Sequence, residues 1–334
     1  MNLAFPHRQT AHCESGAISN LLTYHGLPIS EAMAFGIGGG LFFGYLPFIR
    51  INGLPLTTFR TTPGSIIKRV SKRLGIGMTQ STYRDQGRAM AELDRHLEQG
   101  VPVCLQTGVY WLPYFPPALR FHFNAHNLVA YGKEGDDYLI SDPVIGEPVI
   151  CAAADLLRAR FAQGALAPKG KMYHIASVPS HLDLAPAIKQ GIREVCRAML
   201  SVPLPLLGTW GIRTLAKQVE RWPAKLGERR AILYLGNLIR MQEEIGTGGG
   251  GFRFIFAAFL QEAAAVLGDD RYLEMSLRMT TIGDIWREFA VAGARHCKGR
   301  AAQGEDFVDL ARLLNRCAQE EDALLRELAV LVRQ

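Results

Sequence analysis

Near the start of the chain, a cysteine stands just ahead of an amphipathic segment, in the sequence His12-Cys13-Glu14-Ser15-Gly16-Ala17-Ile18-Ser19-Asn20-Leu21-Leu22-Thr23-Tyr24-His25-Gly26. Its apolar residues recur close to the 3.6-residue period of a helix with one buried face. Gly26, followed by Pro28, ends this helix after about three turns. Cys13 therefore falls at or just before the first turn, where unpaired N–H groups and the positive end of the helix dipole lie. That position favours the thiolate, which is the nucleophilic form of cysteine.

Two later stretches, Phe123–Gly132 and Tyr138–Pro143, place His126 and Asp142 beside apolar segments with strand character. Asp142 follows His126 by sixteen positions, an interval long enough for one strand, a turn and the returning strand. A hairpin of this length brings them together. Because a thiol nucleophile needs a base, and the base needs a third group to orient it, the order Cys13, His126, Asp142 predicts a catalytic triad.

Composition indicates an ordinary globular protein with room for two domains. The chain has 334 residues, of which 48% are hydrophobic and 20% charged. A net charge of +6 suits an acidic partner surface but is too small to indicate nucleic acid. The first ten residues lack the apolar core of a secretory signal, and no apolar run reaches the roughly 20 residues of a membrane span.

The six cysteines are scattered, with no Cys-x-x-Cys pair, so a zinc site is not expected and no metal ligand is assigned. In a cytoplasmic protein, which we expect this to be, they are free thiols. Cys104 has the setting of a buried strand residue, and Cys196 and Cys317 have the setting of helix-core residues.

The order of predicted elements gives the fold class. Helices come first, short strands begin at Val101, and no strand pattern follows Val178. Helices followed by an antiparallel sheet are typical of an α+β domain. The helices that remain are typical of a helical bundle. The boundary is predicted within Pro179–Pro186, which divides the chain into a domain of residues 1–180 and an all-α domain of residues 181–334.

Two glycine-rich segments admit a structural and a functional interpretation. Gly36–Tyr45 is predicted to be a loop, and its glycines, Gly38 and Gly39 among them, would let a ligand approach the backbone if it forms a wall of the cleft. The run Gly248–Gly251 either packs closely between helices or cradles a phosphate where the next helix starts, with Gly249 and Arg253 as ligand contacts.

A basic helical stripe offers a further alternative. Arg213, Lys217 and Arg221 are spaced by four residues and share one helix face. Such a stripe is either a solvated surface or a docking site for an acidic partner.

Nearly the whole chain resembles the family of the butirosin biosynthesis protein BtrH, and the first 180 or so residues are more distantly similar to the C39 peptidases. The matching segments are His12-Cys13-x-Ser15-x-Ala17, Asn20–Gly26, Phe35–Gly38, Gly100–Val103, Tyr110–Tyr114, His122-Phe123-x-x-His126 and Gly246–Arg253. The resemblance implies a papain-like, C39-like cysteine-enzyme domain followed by a helical domain.

The resemblance also implies a reaction and a set of roles. Cys13 is the nucleophile, His126 the general base and then acid, and Asp142 the orienting carboxylate. An acyl group arrives as a thioester on the phosphopantetheine arm of an acidic carrier protein and passes to an amine. No tightly bound cofactor is implied. The substrate-contact candidates are the aromatic residues Tyr110, Tyr114 and His122.

One departure from the papain pattern concerns the oxyanion hole. Papain-like enzymes usually carry a glutamine about six residues before the cysteine, whereas Gln9 lies only four residues before Cys13. Gln9 is assigned to the oxyanion hole, with the backbone N–H of Cys13 as a second donor.

Two rival functions remain open at this point. A hydrolase of peptides, amides or thioesters would use the same triad, and a papain-like protein that only binds would not use it at all. The sequence does not identify the acyl group, the acceptor or the oligomeric state.

Overall fold

The computed structural model describes residues 3–51, 53–302 and 304–334. It divides into two compact units, one of Met1–Ala34 and Ile66–Asp183 and the other of Phe35–Ser65 and Leu184–Gln334. The change of unit after Asp183 falls within the predicted boundary segment. The sequence-based division is wrong for residues 35–65, which were assigned to the first domain but belong to the second unit.

The elements are numbered along the chain. The helices are α1 (Cys13–Tyr24), α2 (Glu31–Ile37), α3 (Ser65–Arg73), α4 (Gln86–Glu98), α5 (Ala153–Arg160), α6 (Leu184–Leu200), α7 (Gly208–Leu226), α8 (Glu228–Glu243), α9 (Arg253–Leu267), α10 (Arg271–Cys297) and α11 (Phe307–Leu331). The strands are β1 (Leu41–Ile51), β2 (Leu54–Arg60), β3 (Gly77–Ser81), β4 (Val103–Thr107), β5 (His126–Glu134), β6 (Asp137–Ser141), β7 (Val149–Ala152) and β8 (Met172–Ser177).

The first unit is built on a six-stranded antiparallel sheet in the order β3-β8-β4-β5-β6-β7. Strand β5 lies between β4 and β6, with Thr107 opposite His126 and Val129 opposite Ser141. Because β5 and β6 run antiparallel, the start of β5 and the end of β6 meet at one edge of the sheet. Helix α1 contacts β5, so the beginning of the first helix and this edge belong to the same unit.

Three strands were missing from the sequence interpretation. The predicted loop at Gly36–Tyr45 instead enters β1, which pairs with β2 from Leu41 opposite Arg60 onward. Strand β1 lacks a regular alternation of buried and exposed residues, because its register with β2 is irregular and its C-terminal end is exposed. That alternation is the signal by which strands are recognised in a sequence. Strand β3 lies at the sheet edge, and none of its residues is fully buried.

The hairpin β1–β2 explains why residues 35–65 join the helices. Phe43 and Phe59 lie with their ring centroids 5.5 Å apart, and both pack against Trp286 of α10. Gly44 forms a bridge with Leu207, just before α7. Burying these aromatic faces against the helices removes a large apolar area from water.

The helices predicted after residue 178 are present with small differences at their ends. Within the second unit, a β-carbon on Gly191 of α6 would lie 2.2 Å from the carbonyl oxygen of Gly36, so the backbones touch where only glycine fits. Among the described residues, the stretch Gly250–Leu267 is long and apolar enough to cross a membrane, and 61% of it is buried within the protein. The core helix of a folded domain has the same properties.

Candidate active site

The backbone before Cys13 is fixed by a carboxylate. The N–H groups of Ala11 and His12 donate to the two oxygens of Glu31 at 3.0 and 2.6 Å. Burial raises the pKa of Glu31, against the lowering effect of these two backbone hydrogen bonds and of one from Ser15. His12 then caps α1, since its ring accepts the N–H of Ser15. His12 thus has the structural role that its position suggests, and α1 begins at Cys13.

His126 and Asp142 meet at the edge where β5 starts and β6 ends. His126 Nε2 lies 2.7 Å from Asp142 Oδ2, and the exposed fractions of the two residues are only 4% and 0%. Asp142 Oδ1 accepts the N–H of Val144 at 3.2 Å. The hairpin predicted from the sixteen-residue interval is therefore present, and it produces the predicted contact between imidazole and carboxylate.

The segment after Asp142 packs directly on α1, and this contact brings the sheet edge to the cysteine. The N–H of Thr10 donates to the carbonyl oxygen of Pro143 at 2.6 Å. A β-carbon on Gly16 would lie 2.0 Å from Thr10 Oγ1 and 2.7 Å from Pro143 Cβ. Only a residue without a side chain allows this approach, which makes Gly16 a requirement of the site.

Cys13 and His126 interact across this contact, and the interaction favours the charged form of the ring. Burial lowers the pKa of the His126 ring, but the Asp142 carboxylate and the Cys13 side chain, both also hydrogen-bonded to the ring, raise it to about 10. Nε2 faces Asp142, and the same ring interacts with the Cys13 side chain. At neutral pH the ring is therefore an imidazolium, and an adjacent cation favours the thiolate of cysteine.

The other cysteines lie in settings that oppose ionisation. Burial raises the pKa of the Cys104 and Cys317 thiols well above the usual range, and it also raises the pKa of Cys151, Cys196 and Cys297. All six cysteines are free. Chemical reactivity is therefore expected at Cys13 alone.

The backbone supplies the better candidate for the oxyanion hole. Gln9 is exposed, and its amide oxygen lies 3.7 Å from the β-carbon position of Gly146. Since Glu31 occupies the N–H groups of Ala11 and His12, the N–H of Cys13 is the donor nearest the sulfur at the helix start. The role of Gln9 stays a prediction.

The segment that joins β4 to β5 carries the aromatic residues expected to contact substrate. Tyr114 is placed against the triad, because its hydroxyl donates to Asp142 Oδ2 at 2.8 Å. Tyr110 stacks on His122 with ring centroids 4.2 Å apart. The exposed fractions of Tyr110 and its neighbour Trp111 are 42% and 39%. A substrate-binding role for Tyr110 and His122 stays a prediction.

Arg253 does not have the predicted role in ligand binding. Its side chain is fully buried, and Nε and a terminal nitrogen donate to the two oxygens of Glu321 at 2.8 and 2.9 Å. Its other terminal nitrogen donates to the carbonyl oxygen of Gly251. Arg253 is thus part of the core of the second unit, where no solute can reach it.

Of the two interpretations of Gly248–Gly251, the contacts of the run support close packing. The N–H of Gly249 donates to Thr247 Oγ1 at 3.0 Å, and the N–H of Gly250 donates to a carboxylate oxygen of Glu243 at 3.0 Å. Because an anionic side chain already occupies this turn, a phosphate there would be repelled. Gly38 and Gly39 are buried in the second unit, and their proposed cleft role is untested.

Glu31 and Gly16 are parts of the site that sequence reasoning missed. No local pattern ties Glu31 to the residues before Cys13, since its partners lie about twenty positions earlier. Gly16 had a weak signal, because a glycine inside a short amphipathic helix usually has a packing or functional reason. Among residues 3–51, 53–302 and 304–334, no group of three or more His, Cys, Asp or Glu side chains is placed to hold a metal ion.

A helix that begins at the cysteine, packed on an antiparallel sheet that carries the histidine and the aspartate, is the arrangement of the papain-like cysteine enzymes. Residues 12–143 match the family described as "Butirosin biosynthesis protein H, N-terminal", and residues 154–328 match "Domain of unknown function (DUF4872)". The chain belongs to this BtrH-like family.

Among the solved structures that match, one is similar to the N-terminal region of the chain. It is a Bacillus anthracis protein described as a C39-like peptidase, with 15% sequence identity and a TM-score of 0.37. The similarity covers 52% of this chain and 95% of that chain. No curated protein matches the chain.

Proposed function

We propose that this protein is an acyltransferase that moves an acyl group from the phosphopantetheine thioester of a carrier protein to an amine. The observation that carries the proposal is the Cys13–His126–Asp142 arrangement, in which the carboxylate and the sulfur raise the pKa of the buried ring to about 10. A charged imidazolium beside the sulfur suits a thioester donor, because an adjacent cation favours the nucleophilic form of a cysteine.

The first half-reaction forms an acyl-enzyme. Cys13 Sγ attacks the thioester carbonyl, its new bond to carbon forms, and the backbone N–H of Cys13 stabilises the developing oxyanion. The bond to the pantetheine sulfur then breaks, and His126 gives its proton to that sulfur. Asp142 keeps the ring oriented throughout, at a distance of 2.7 Å.

The second half-reaction regenerates the enzyme. Neutral His126 takes a proton from the attacking amine, the new carbon–nitrogen bond forms, and the bond from carbon to Cys13 Sγ breaks. Water must be kept from the acyl-enzyme, because otherwise the protein acts as a thioesterase. We assign this shielding to the aromatic segment Tyr110–Phe115, in which Tyr110 and Trp111 are exposed. The substrate contacts are assigned to Tyr110, Tyr114 and His122.

The partner and setting follow from charge and family. The net charge of +6 suits an acidic carrier protein, and Arg213, Lys217 and Arg221 of α7 are the residues we assign to its docking. The family description names butirosin biosynthesis, which supports a role in natural-product assembly, and we place the protein in the cytoplasm.

The test is intact-protein mass spectrometry with an acyl thioester of N-acetylcysteamine, a mimic of the pantetheine arm. We expect one acyl group per chain, on the Cys13 peptide, absent in Cys13→Ser and formed about 10²–10⁴-fold more slowly in His126→Ala. A panel of amines should then discharge the adduct as amides. An adduct on Cys104 or Cys297, or an equal adduct in Cys13→Ser, would refute the mechanism.

A hydrolase is the second candidate, since the same triad serves peptide, amide and thioester hydrolysis. Release of free acid by water alone, with no amide formed from any amine, would establish the hydrolase in place of the transferase. A Cys13 that reacts no faster than the other five thiols would instead indicate a papain-like protein that only binds.

A further inference from the structure

Asp142 accepts more hydrogen bonds than the one from histidine that a catalytic triad requires. Its side chain is fully buried, and Oδ2 accepts from both His126 Nε2 at 2.7 Å and the Tyr114 hydroxyl at 2.8 Å. Oδ1 accepts the N–H of Val144 at 3.2 Å. The oxygen that faces the imidazole is thus held from two sides, and only Tyr114 among these donors is a neutral side chain.

The backbone on both sides of Tyr114 is fixed by one arginine. Arg120 donates from Nε to the carbonyl oxygen of Phe115 at 2.7 Å, and from a terminal nitrogen to the carbonyl oxygen of Pro113. Phe115 in turn places its ring edge-on to the His126 ring, with centroids 5.5 Å apart and planes at 84°. Residues 113–115 therefore contact both the carboxylate and the imidazole.

We propose that Tyr114 is a positioning residue, whose hydroxyl holds Asp142 Oδ2 in line with His126 Nε2 and thereby keeps the imidazole oriented toward Cys13. A carboxylate held only through Oδ1 can rotate about its last bond, and each rotation away from the ring weakens the orienting hydrogen bond. A hydrogen bond to a charged group is stronger than one between neutral groups. The Tyr114 hydroxyl therefore has a measurable effect on the orientation of the Asp142 carboxylate.

Tyr114 keeps its proton over the whole working range. Burial, and then the neighbouring Asp142 carboxylate, raise the pKa of the Tyr114 hydroxyl well above its ordinary value of 10.0. The phenol therefore donates a hydrogen bond at every pH at which His126 is charged. A phenylalanine at this position would keep the ring contacts and remove only the donor.

The experiment measures the rate at which iodoacetamide alkylates Cys13, followed on the Cys13 peptide by mass spectrometry at pH 6. This reaction forms a bond from Sγ to carbon and releases iodide, so it reports the thiolate–imidazolium pair whether the enzyme is a transferase or a hydrolase. We expect Tyr114→Phe to slow alkylation about tenfold. Tyr138→Phe is the matched control, because it removes a tyrosine–aspartate hydrogen bond of 2.6 Å to Asp94 in the same unit, and it should leave the rate unchanged.

A double-mutant cycle separates positioning from a general structural role. In the background of Asp142→Ala, where no carboxylate is left to hold, adding Tyr114→Phe should change the rate less than about twofold. Asp142→Asn serves as the background if the alanine variant does not fold. A wild-type rate in Tyr114→Phe would overturn the proposal, and so would a further tenfold loss in the Asp142 background.

Discussion

The N–H of His12 donates to Glu31 at 2.6 Å, so a partly buried carboxylate from the start of α2 fixes the turn that presents Cys13. The same carboxylate accepts the N–H of Ala11. Both backbone donors of this turn are therefore occupied. The geometry of the nucleophile thus depends on a residue that takes no part in the chemistry.

Removing this carboxylate should loosen the turn. Glu31→Ala leaves two half-buried N–H groups without an acceptor, and we expect the free energy of unfolding to fall by about 2 kcal/mol. Alkylation of Cys13 should slow at the same time. Urea denaturation and peptide mass spectrometry measure the two effects. As a control, Glu92→Ala removes an exposed partner of Arg95 and should change stability by less than about 0.5 kcal/mol. Equal effects in the two variants would contradict the role of Glu31.

The pH dependence follows from the direction of the shift at His126. Its pKa rises from 6.5 to about 10 on folding, so the ring binds protons more tightly in the folded state. Its contribution to stability is complete below about pH 6.5 and is lost as the pH rises through about 10. Turnover should therefore have an alkaline limb near pH 10.

Asp142→Asn tests the origin of that limb. Without the carboxylate charge, which is the main factor that raises the pKa of His126, the limb should move toward the ordinary range of histidine. The pH–rate profile of thioester consumption measures this. A limb that stays in place in Asp142→Asn would mean that another group controls it.

Gly16 should tolerate no side chain. Gly16→Ala places a methyl group against Thr10 and Pro143, and overpacking of this kind typically costs about 1–3 kcal/mol. The same change at Gly87 of α4 meets only Asp85 Oδ1, at 3.5 Å, and should stabilise the protein by about 0.4–1 kcal/mol. Thermal unfolding should therefore shift in opposite directions in the two variants. A stabilised Gly16→Ala would show that the approach of Pro143 to α1 is not tight.

The buried pair of the second unit should be costly to break. Arg253→Met leaves the fully buried Glu321 carboxylate without its guanidinium, and we expect a loss of about 3–5 kcal/mol in denaturant unfolding. Trp286 Nε1 still donates to Glu321 at 2.6 Å. This single hydrogen bond does not fully compensate for the loss of the guanidinium. Adding Glu321→Leu should recover most of the loss. Arg158→Met, at an exposed pair with Asp155, should be nearly neutral.

Sequence reasoning predicted those features that depend on local pattern and spacing. The helix from Cys13, the hairpin that joins His126 to Asp142 and the run of helices after residue 178 all follow from periodicity and turn residues. Each of these depends on neighbours close in the chain. The same reasoning could not assign residues 35–65 to the second unit, because their aromatic partners lie in helices far along the sequence.

The errors at the site have a related cause. Arg253 resembles a surface ligand-binding residue in sequence, but it pairs with Glu321, 68 positions later, inside the core. Tyr114 is a predicted substrate contact, but its hydrogen bond to Asp142 depends on the path of a loop without periodicity. Long-range pairing of polar groups leaves no trace in local sequence pattern.

The contact between Thr10 and Pro143 also bears on how the protein is made. During synthesis the segment with Cys13 leaves the ribosome long before the hairpin with His126 and Asp142 does. Until β5 and β6 pair and Pro143 docks on α1, Cys13 has no imidazolium beside it and behaves as an ordinary thiol. The nascent chain therefore carries no activated nucleophile to react with the thioesters and oxidants of the cell, and reactivity arises only when the first unit is complete.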